Sequence, residues 1–510
     1  MSPRKKQKQN TIVARLKPRW AELTLLLLML LGFGLRMIDL TDPPLDFHPT
    51  RQFRGAIIAR SIYYQLVPPK DVFLQQEAVS LRNAVAELEP SILESIVAFG
   101  YLLAGGEYLW IARIVTSLFW VLAAIPLYDL ARRMSGKLPA LIAAAYFLFL
   151  PFAVQASRSF QPDPFMVALF ILATYAAYRW SEEKSWRWAI VAGFTSGLAI
   201  LVKVFAAYLL LGVMAAIVLA TLGLVKALRN KQVWAMALIS IVPAALYYLL
   251  SISATSGNYF QNWVVALLPL AFVPGFYVRW VNFVSDLLGV GSLVAAGVGV
   301  FLAPSRGRSL LIGAWLGYIV YGITLPHQTT THSYYHIQLV PIAALSMVPV
   351  FKAIVDKAVR QPRIWQVLLG LVAIGTMAFS AWSIRSTLLG VDYHDEPSYW
   401  ERIGQVVPRD GRTIALAQSY GNLLNYYGGR KVELWPITSE LALAGLRGNS
   451  PQEFETFFLK RTSGMDYFLI TSFNQLDAQP QLQDYLSNHY PVFSQGDGYI
   501  IYDLRASLNG

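Results

Sequence analysis

Residues 40–65 read LTDPPLDFHPTRQFRGAIIARSIYYQ. They follow an apolar run, Trp20 to Ile38, long enough to cross a bilayer. Asp42, Asp46, His48, Arg51, Arg54 and Arg60 are interleaved here with Pro43, Pro44 and Pro49, and Tyr63 and Tyr64 stand behind them. Ionisable groups of both signs at a membrane boundary are costly unless they face water, a partner or a substrate. A mere connector has no need of them. The stretch therefore reads as half of an active site presented by a membrane scaffold.

The rest of the chain supplies that scaffold. Of 510 residues, 55% are apolar and 14% charged, against roughly 25% charged in soluble domains. The expected fold is a polytopic α-helical membrane protein with about eleven spans. These are Trp20 to Ile38, Leu109 to Leu130, Leu138 to Val154, Phe165 to Trp180, Trp186 to Val202 and Phe205 to Leu224. Val233 to Ser251, Val281 to Leu302, Ser309 to Leu325, Ile337 to Phe351 and Ile364 to Ile384 complete the set. Ser91 to Ala104 is short and carries Glu94, which suits a helix lying at the interface. The basic segment 1–19 runs into the first span without an A-x-A-like cleavage site, so a retained first helix is expected.

Charge then orients the bundle. With segment 1–19 in the cytoplasm, the inner loops hold Arg132, Arg133, Lys137, Arg179, Lys184, Arg187, Lys226, Arg229 and Lys231. They also hold Arg306, Arg308, Lys352, Lys357, Arg360 and Arg363, as the positive-inside rule requires. The position of the charges matters more than the net +12, and no nucleic-acid partner is implied. The absence of cysteine excludes disulfides, thiolate catalysis and Cys-ligated zinc.

The outer side receives the remaining chemistry. It holds a large first loop, 40–107, the turn SRSFQPDP (157–164), Lys203, the segment Ala254 to Trp280, and PHQTTTHSYYH (326–336). All six histidines fall there. The membrane domain is expected over 20–387, followed by a small extracytoplasmic α/β domain over 388–510. Within the latter, GRTIALAQS, KVELWPI, DYFLITS and DGYIIYDL read as strands, and GNLLNYYGG and PQEFETFFLKR as helices.

Asp46 and Asp163 are the candidate catalytic carboxylates. Asp163 sits between Pro162 and Pro164, which fix the backbone at the membrane rim. Such a carboxylate can act as general base or help to hold a divalent cation. The alternatives are a helix-start carboxylate favoured by the dipole for Asp163 and a turn residue for Asp46. Arg51, Arg54, Arg158 and Lys203 could bind a phosphate, or snorkel to headgroups. Lys203 stands out because AILVKVFAAY is otherwise apolar. His332 and His336, spaced i, i+4 with Tyr334 and Tyr335 between, are a candidate metal pair or phosphate clamp, without an HExxH glutamate. Glu89 is the candidate third ligand, with Glu87 and Glu94 as further acidic groups.

The pattern resembles the GT-C superfamily of membrane glycosyltransferases, in particular the protein O-mannosyltransferase and lipid A aminoarabinose transferase branch. The resemblance rests on LDFHPTRQFRGAIIARSIYY, EYLWIARIVTSLFWVLAAIPLYDLARR, SRSFQPDPFM and HSYYHIQLVP, within about Trp20 to Ile384. It implies transfer of a sugar from a polyprenyl-phosphate donor to a lipid, protein or glycan acceptor, outside a bacterial plasma membrane, with inversion. By analogy Asp46 would be the base and Asp163 would assist. Basic residues would hold the donor phosphate, with Tyr334, Tyr335 and His336 lining the substrate site. A divalent cation (Mg, Mn or Zn) is used by many members. The chain departs from the family where an Asp-Glu pair is usual, because Arg51 and Gln52 stand there. His48 could therefore take over part of the base role. The family's frequent lysine is likewise Glu89 here, before Pro90. The alternative function is a transporter or flippase of a lipid-linked sugar, which would place polar residues near the midplane rather than on one rim.

Overall fold

In the computed structural model the chain is described over residues 19–85, 89–251, 260–448 and 453–508. Residues 1–18 of the basic segment, and Glu87, lie outside the described residues. The chain forms two compact units. One takes the described residues of Met1–Leu40, Ala112–Ile252 and Leu268–Gly390; the other takes those of Thr41–Ile111, Ser253–Leu267 and Val391–Gly510.

The first unit is helical. Every apolar stretch expected to span is in helix, but several are bent or broken. Lys137–Phe149 and Pro151–Ser157 meet at 58°, because Pro151 has no N–H to continue the helical ladder. The stretch expected as one span over 281–302 is two helices, Pro274–Leu288 and Val290–Leu302. They are separated at Gly289, whose φ of 85° interrupts helical geometry. The first of them begins inside the segment expected to be an outer loop. Among the described residues, four helices are long and apolar enough to cross a membrane, or six if each of two bent pairs is one span. Four further apolar helices are shorter.

Small residues set a close helix contact. Ala206–Leu222 packs on Ser305–Thr324 with glycine opposite glycine. A Cβ on Gly313 would lie 2.3 Å from the Gly212 carbonyl oxygen and 2.7 Å from the Ala216 Cβ. In a lipid environment, where apolar surface alone gives helices no reason to associate, such close backbone approach is the main source of packing energy.

The second unit is α/β. Its sheet runs β2 (Glu433–Leu434), β1 (Thr413–Leu416), β3 (Tyr467–Ile470), β5 (Tyr499–Asp503), β4 (Val492–Gly496). β1 pairs parallel with β2 and β3, while β5 is antiparallel to β3 and β4. β1 and β3 are buried at every position, as central strands covered on both faces must be. β4 and β5 form a hairpin through Asp497 and Gly498, the latter at φ 79°. Trp435, Phe458, Phe468 and Leu482 centre the core. The helix Pro49–Leu66 belongs to the same unit. Its Arg60 pairs with Glu107 at 2.9 Å and lies 3.6 Å from the centroid of the Tyr426 ring. Asn422 Nδ2 donates to the Thr50 carbonyl at 3.0 Å.

Gly313→Val is expected to cost about 1–3 kcal/mol through overpacking. Gly370→Val, where a Cβ meets nothing within 4 Å, is expected to be nearly neutral. Thermal unfolding of the detergent-solubilised protein separates the two, and equal midpoints would refute the glycine contact.

Candidate active site

In the first unit the candidate residues converge on one buried ion pair. Helix Pro162–Glu183 starts with Pro162 at its first turn, and this places Asp163 in that turn, 2% exposed. Lys203 occupies an extended residue (φ −157°, ψ 113°) that caps Trp186–Val202, just before Ala206–Leu222. Its Nζ lies 2.6 Å from Asp163 Oδ1 and 5.1 Å from the ring centroids of both Tyr334 and Tyr335. Four residues singled out in the sequence thus form one cluster: a carboxylate, an ammonium and two aromatic faces. Oδ2 of Asp163 has no hydrogen-bond partner among the described residues.

Arg158 is buried and gives Nη2–H to the Asp39 carbonyl at 2.8 Å. Arg113 donates to the same carbonyl at 2.8 Å, and Arg36 bonds Ser157 Oγ at 2.8 Å and the Leu148 carbonyl at 3.0 Å. Sequence reading missed Arg36 and Arg113, which look like ordinary span-end cations. Their buried bonds fasten the turns at 37–40 and 150–157.

His332 and His336 do not share an α-helical face. Helix Pro326–Thr331 ends at His332, which is extended, and a 3-10 turn, Ser333–His336, follows. His336 is fully buried in a chain of hydrogen bonds: Trp280 Nε1–H to Tyr318 Oη (3.1 Å), and Tyr318 Oη to His336 Nδ1 (2.7 Å). His336 Nε2 then meets the Thr329 carbonyl at 2.8 Å. Because that carbonyl can only accept, Nε2 carries the proton and Nδ1 accepts from the tyrosine. A metal on this imidazole would have to break one of these bonds.

In the second unit, Asp46 and His48 precede helix Pro49–Leu66. Asp46 is half-buried. His48 is the N-cap in a left-handed conformation, φ 47° and ψ 64°, which is uncommon away from glycine and clusters at functional sites. Burial, and then the neighbouring Arg51, push its imidazole down to about 4, so it is neutral at physiological pH. Buried Gln52 holds the loop in place: its Nε2 donates to the Phe47 carbonyl at 2.7 Å and to the Pro44 carbonyl at 3.1 Å, one on each side of Asp46. Sequence reading did not find this role for Gln52. Arg51 and Arg54 both meet Glu89, at 3.2 and 3.4 Å. A metal at Glu89 would compete with two guanidinium groups.

Against known proteins, the family model for dolichyl-phosphate-mannose-protein mannosyltransferase matches residues 89–248, less than half of the chain. No curated protein sequence matches significantly. The structure is similar to ArnT from Cupriavidus metallidurans in the apo state, with 16% identity, 94% of this chain and 97% of that one covered, and TM-score 0.55. It is also similar to the same protein bound to undecaprenyl phosphate, with 15% identity, coverage of 95% and 97%, and TM-score 0.52. The Archaeoglobus fulgidus oligosaccharyltransferase complex with Zn and sulfate matches with 13% identity, coverage of 94% and 73%, and TM-score 0.60. At 13–16% identity, these likenesses are likenesses of fold.

Two measurements test the site geometry. Lys203→Met leaves Asp163 as a buried unpaired charge and is expected to cost about 3–5 kcal/mol. Adding Asp163→Asn should recover most of that loss in the thermal midpoint, and no recovery would contradict the pairing. For His48, the unfolded chain takes up a proton first as pH falls from about 6.5 to about 4. The stability held above that window is lost through it on acidification. His48→Gln should flatten this part of the midpoint-against-pH curve; an unchanged slope would assign it to other groups.

Proposed function

We propose that the chain is a glycosyltransferase that moves a sugar from a polyprenyl-phosphate donor to an acceptor on the extracytoplasmic face. The observation that carries this is a full-length fold likeness to a protein whose structure holds undecaprenyl phosphate. Further support comes from the mannosyltransferase family match across residues 89–248, which contain Asp163 and Lys203.

In this reading Asp46 takes the proton of an acceptor hydroxyl or amine. The acceptor atom then bonds to the anomeric carbon as the carbon–oxygen bond to phosphate breaks. The electron pair leaves with polyprenyl phosphate, and attack from the opposite side inverts the sugar. His48, neutral and two residues away, is the second candidate for the base. Gln52 positions both by holding the carbonyls of Pro44 and Phe47. Arg51 and Arg54 are the donor-phosphate candidates in the second unit, with Glu89 as the carboxylate a phosphate would displace. In the first unit, Lys203 and Arg158 are the phosphate candidates, and Tyr334, Tyr335 and His336 the substrate candidates.

The zinc of the archaeal structure raises the question of a cation here. His332, His336 and Glu89 fit one poorly, given the bonds His336 and Glu89 already make, and no step is routed through a metal. The N-terminus is assigned to the cytoplasm and residues 388–510 to the outside of a bacterial plasma membrane, on the distribution of basic loops.

Purified protein should release polyprenyl phosphate from at least one donor in a panel of synthetic polyprenyl-phosphate sugars. Asp46→Asn should lower that release by about 10²–10⁴-fold. Activity that survives in Asp46→Asn and is lost in His48→Gln moves the base to His48. No release from any donor by folded wild type would overturn the transferase reading.

A further inference from the structure

The second unit also contains a donor set that takes one member from the loop of Asp46: Asp42, Asp392 and His394. Their ligating atoms all lie within 4.8 Å of one another. His394 Nδ1 is 3.2 Å from Asp42 Oδ1 and 2.6 Å from Asp392 Oδ1. Ligand atoms around a tetrahedral zinc stand about 3.3 Å apart, given metal bonds of about 2.0–2.1 Å. The His394–Asp42 separation of 3.2 Å is already close to that spacing.

The three members differ in setting. The Asp42 side chain is only 2% exposed, whereas His394 and Asp392 are 56% and 81% exposed. Asp42 is fixed by the Tyr393 backbone N–H, which donates to Oδ1 at 2.9 Å. A carboxylate removed from water needs compensating charge. Asp392 Oδ1 accepts from the backbone N–H of His394 at 3.0 Å. Beside the trio opens a cavity of about 450 Å³, lined by Asp392, Tyr393, Asp395, Glu396 and Arg402 among others. It gives an ion a route from solvent, with more acidic than basic groups along it.

We propose that Asp42, Asp392 and His394 bind a first-row divalent cation. One imidazole with two carboxylates suits zinc or manganese better than calcium, which prefers an all-oxygen shell. The bound ion fastens the start of the outer loop to the start of the C-terminal segment, 350 positions on in the sequence. Both belong to one compact unit, and closing so long a loop is where a metal clip gains most. Solvent completes the coordination. The proposal does not depend on the transferase reading.

The test uses full-length protein stripped with EDTA, then dialysed and titrated with zinc chloride by calorimetry, with manganese as a second probe. Saturable one-to-one binding is expected, with a rise in the thermal midpoint. Asp392→Asn and His394→Gln should each weaken binding tenfold or more. Both side chains are exposed, so the variants should unfold like wild type in EDTA, which serves as the folding control. Wild type that binds neither ion saturably, or variants that bind as tightly as wild type, would overturn the site.

Discussion

The first unit depends on one electrostatic constraint. A lysine in an otherwise apolar sequence must find an opposite charge or lose its own, because desolvating an ammonium costs several kcal/mol. Lys203 meets that demand with Asp163 at 2.6 Å, both nearly fully buried. The demand has consequences along the chain. Lys203 leaves helical geometry to reach its partner, which separates Trp186–Val202 from Ala206–Leu222. Asp163 is brought to the meeting point by Pro162, which can start a helix without wasting an N–H. The rings of Tyr334 and Tyr335 arrive through a 3-10 turn. A pair of this kind adds little net stability over an apolar pair of the same volume.

The second unit solves the complementary problem of holding a polar loop still without a regular ladder. Between Thr41 and His48 the backbone belongs to neither helix nor strand. Two of its carbonyls, those of Pro44 and Phe47, are instead taken up by Gln52, reaching back from the helix the loop leads into. The left-handed turn at His48 costs about 1–3 kcal/mol and persists because bonds on both sides determine it. Asp46 is therefore presented by a fixed loop.

Much of this was legible in the sequence, for definite reasons. Apolar runs of span length must be helical in lipid, and all of them are. The strands β1, β3 and β5 were readable because TIAL, YFLI and YIIYD are runs of β-formers bounded by turn residues. β4 was not, since VFSQG is exposed and polar at its end. The i, i+4 spacing of His332 and His336 misled because spacing fixes a face only if the helix continues. Here Thr329, Thr330 and Thr331 turn their hydroxyls back onto carbonyls of their own turn, and the helix ends. Gln52, Arg36 and Arg113 carried no signal, because their roles exist only once distant turns have been brought beside them.

The basic residues show why charge counts mislead about ligand sites. Arg51, Arg54, Arg158 and Lys203 each suggested an open phosphate contact, yet each has a protein acceptor in the structure. Two kinds of acceptor are involved. Arg158 gives its bond to a backbone carbonyl, which leaves its positive charge unneutralised by that bond. Arg51 and Arg54 share one carboxylate, so the trio keeps a net positive charge while its geometry is held in advance. A donor phosphodiester entering there exchanges one singly charged anion for another, and the guanidinium groups need not be ordered anew. Preorganisation of this kind lowers the cost of binding an anion, and a paired arginine is for that reason no weaker a phosphate candidate than a solvated one.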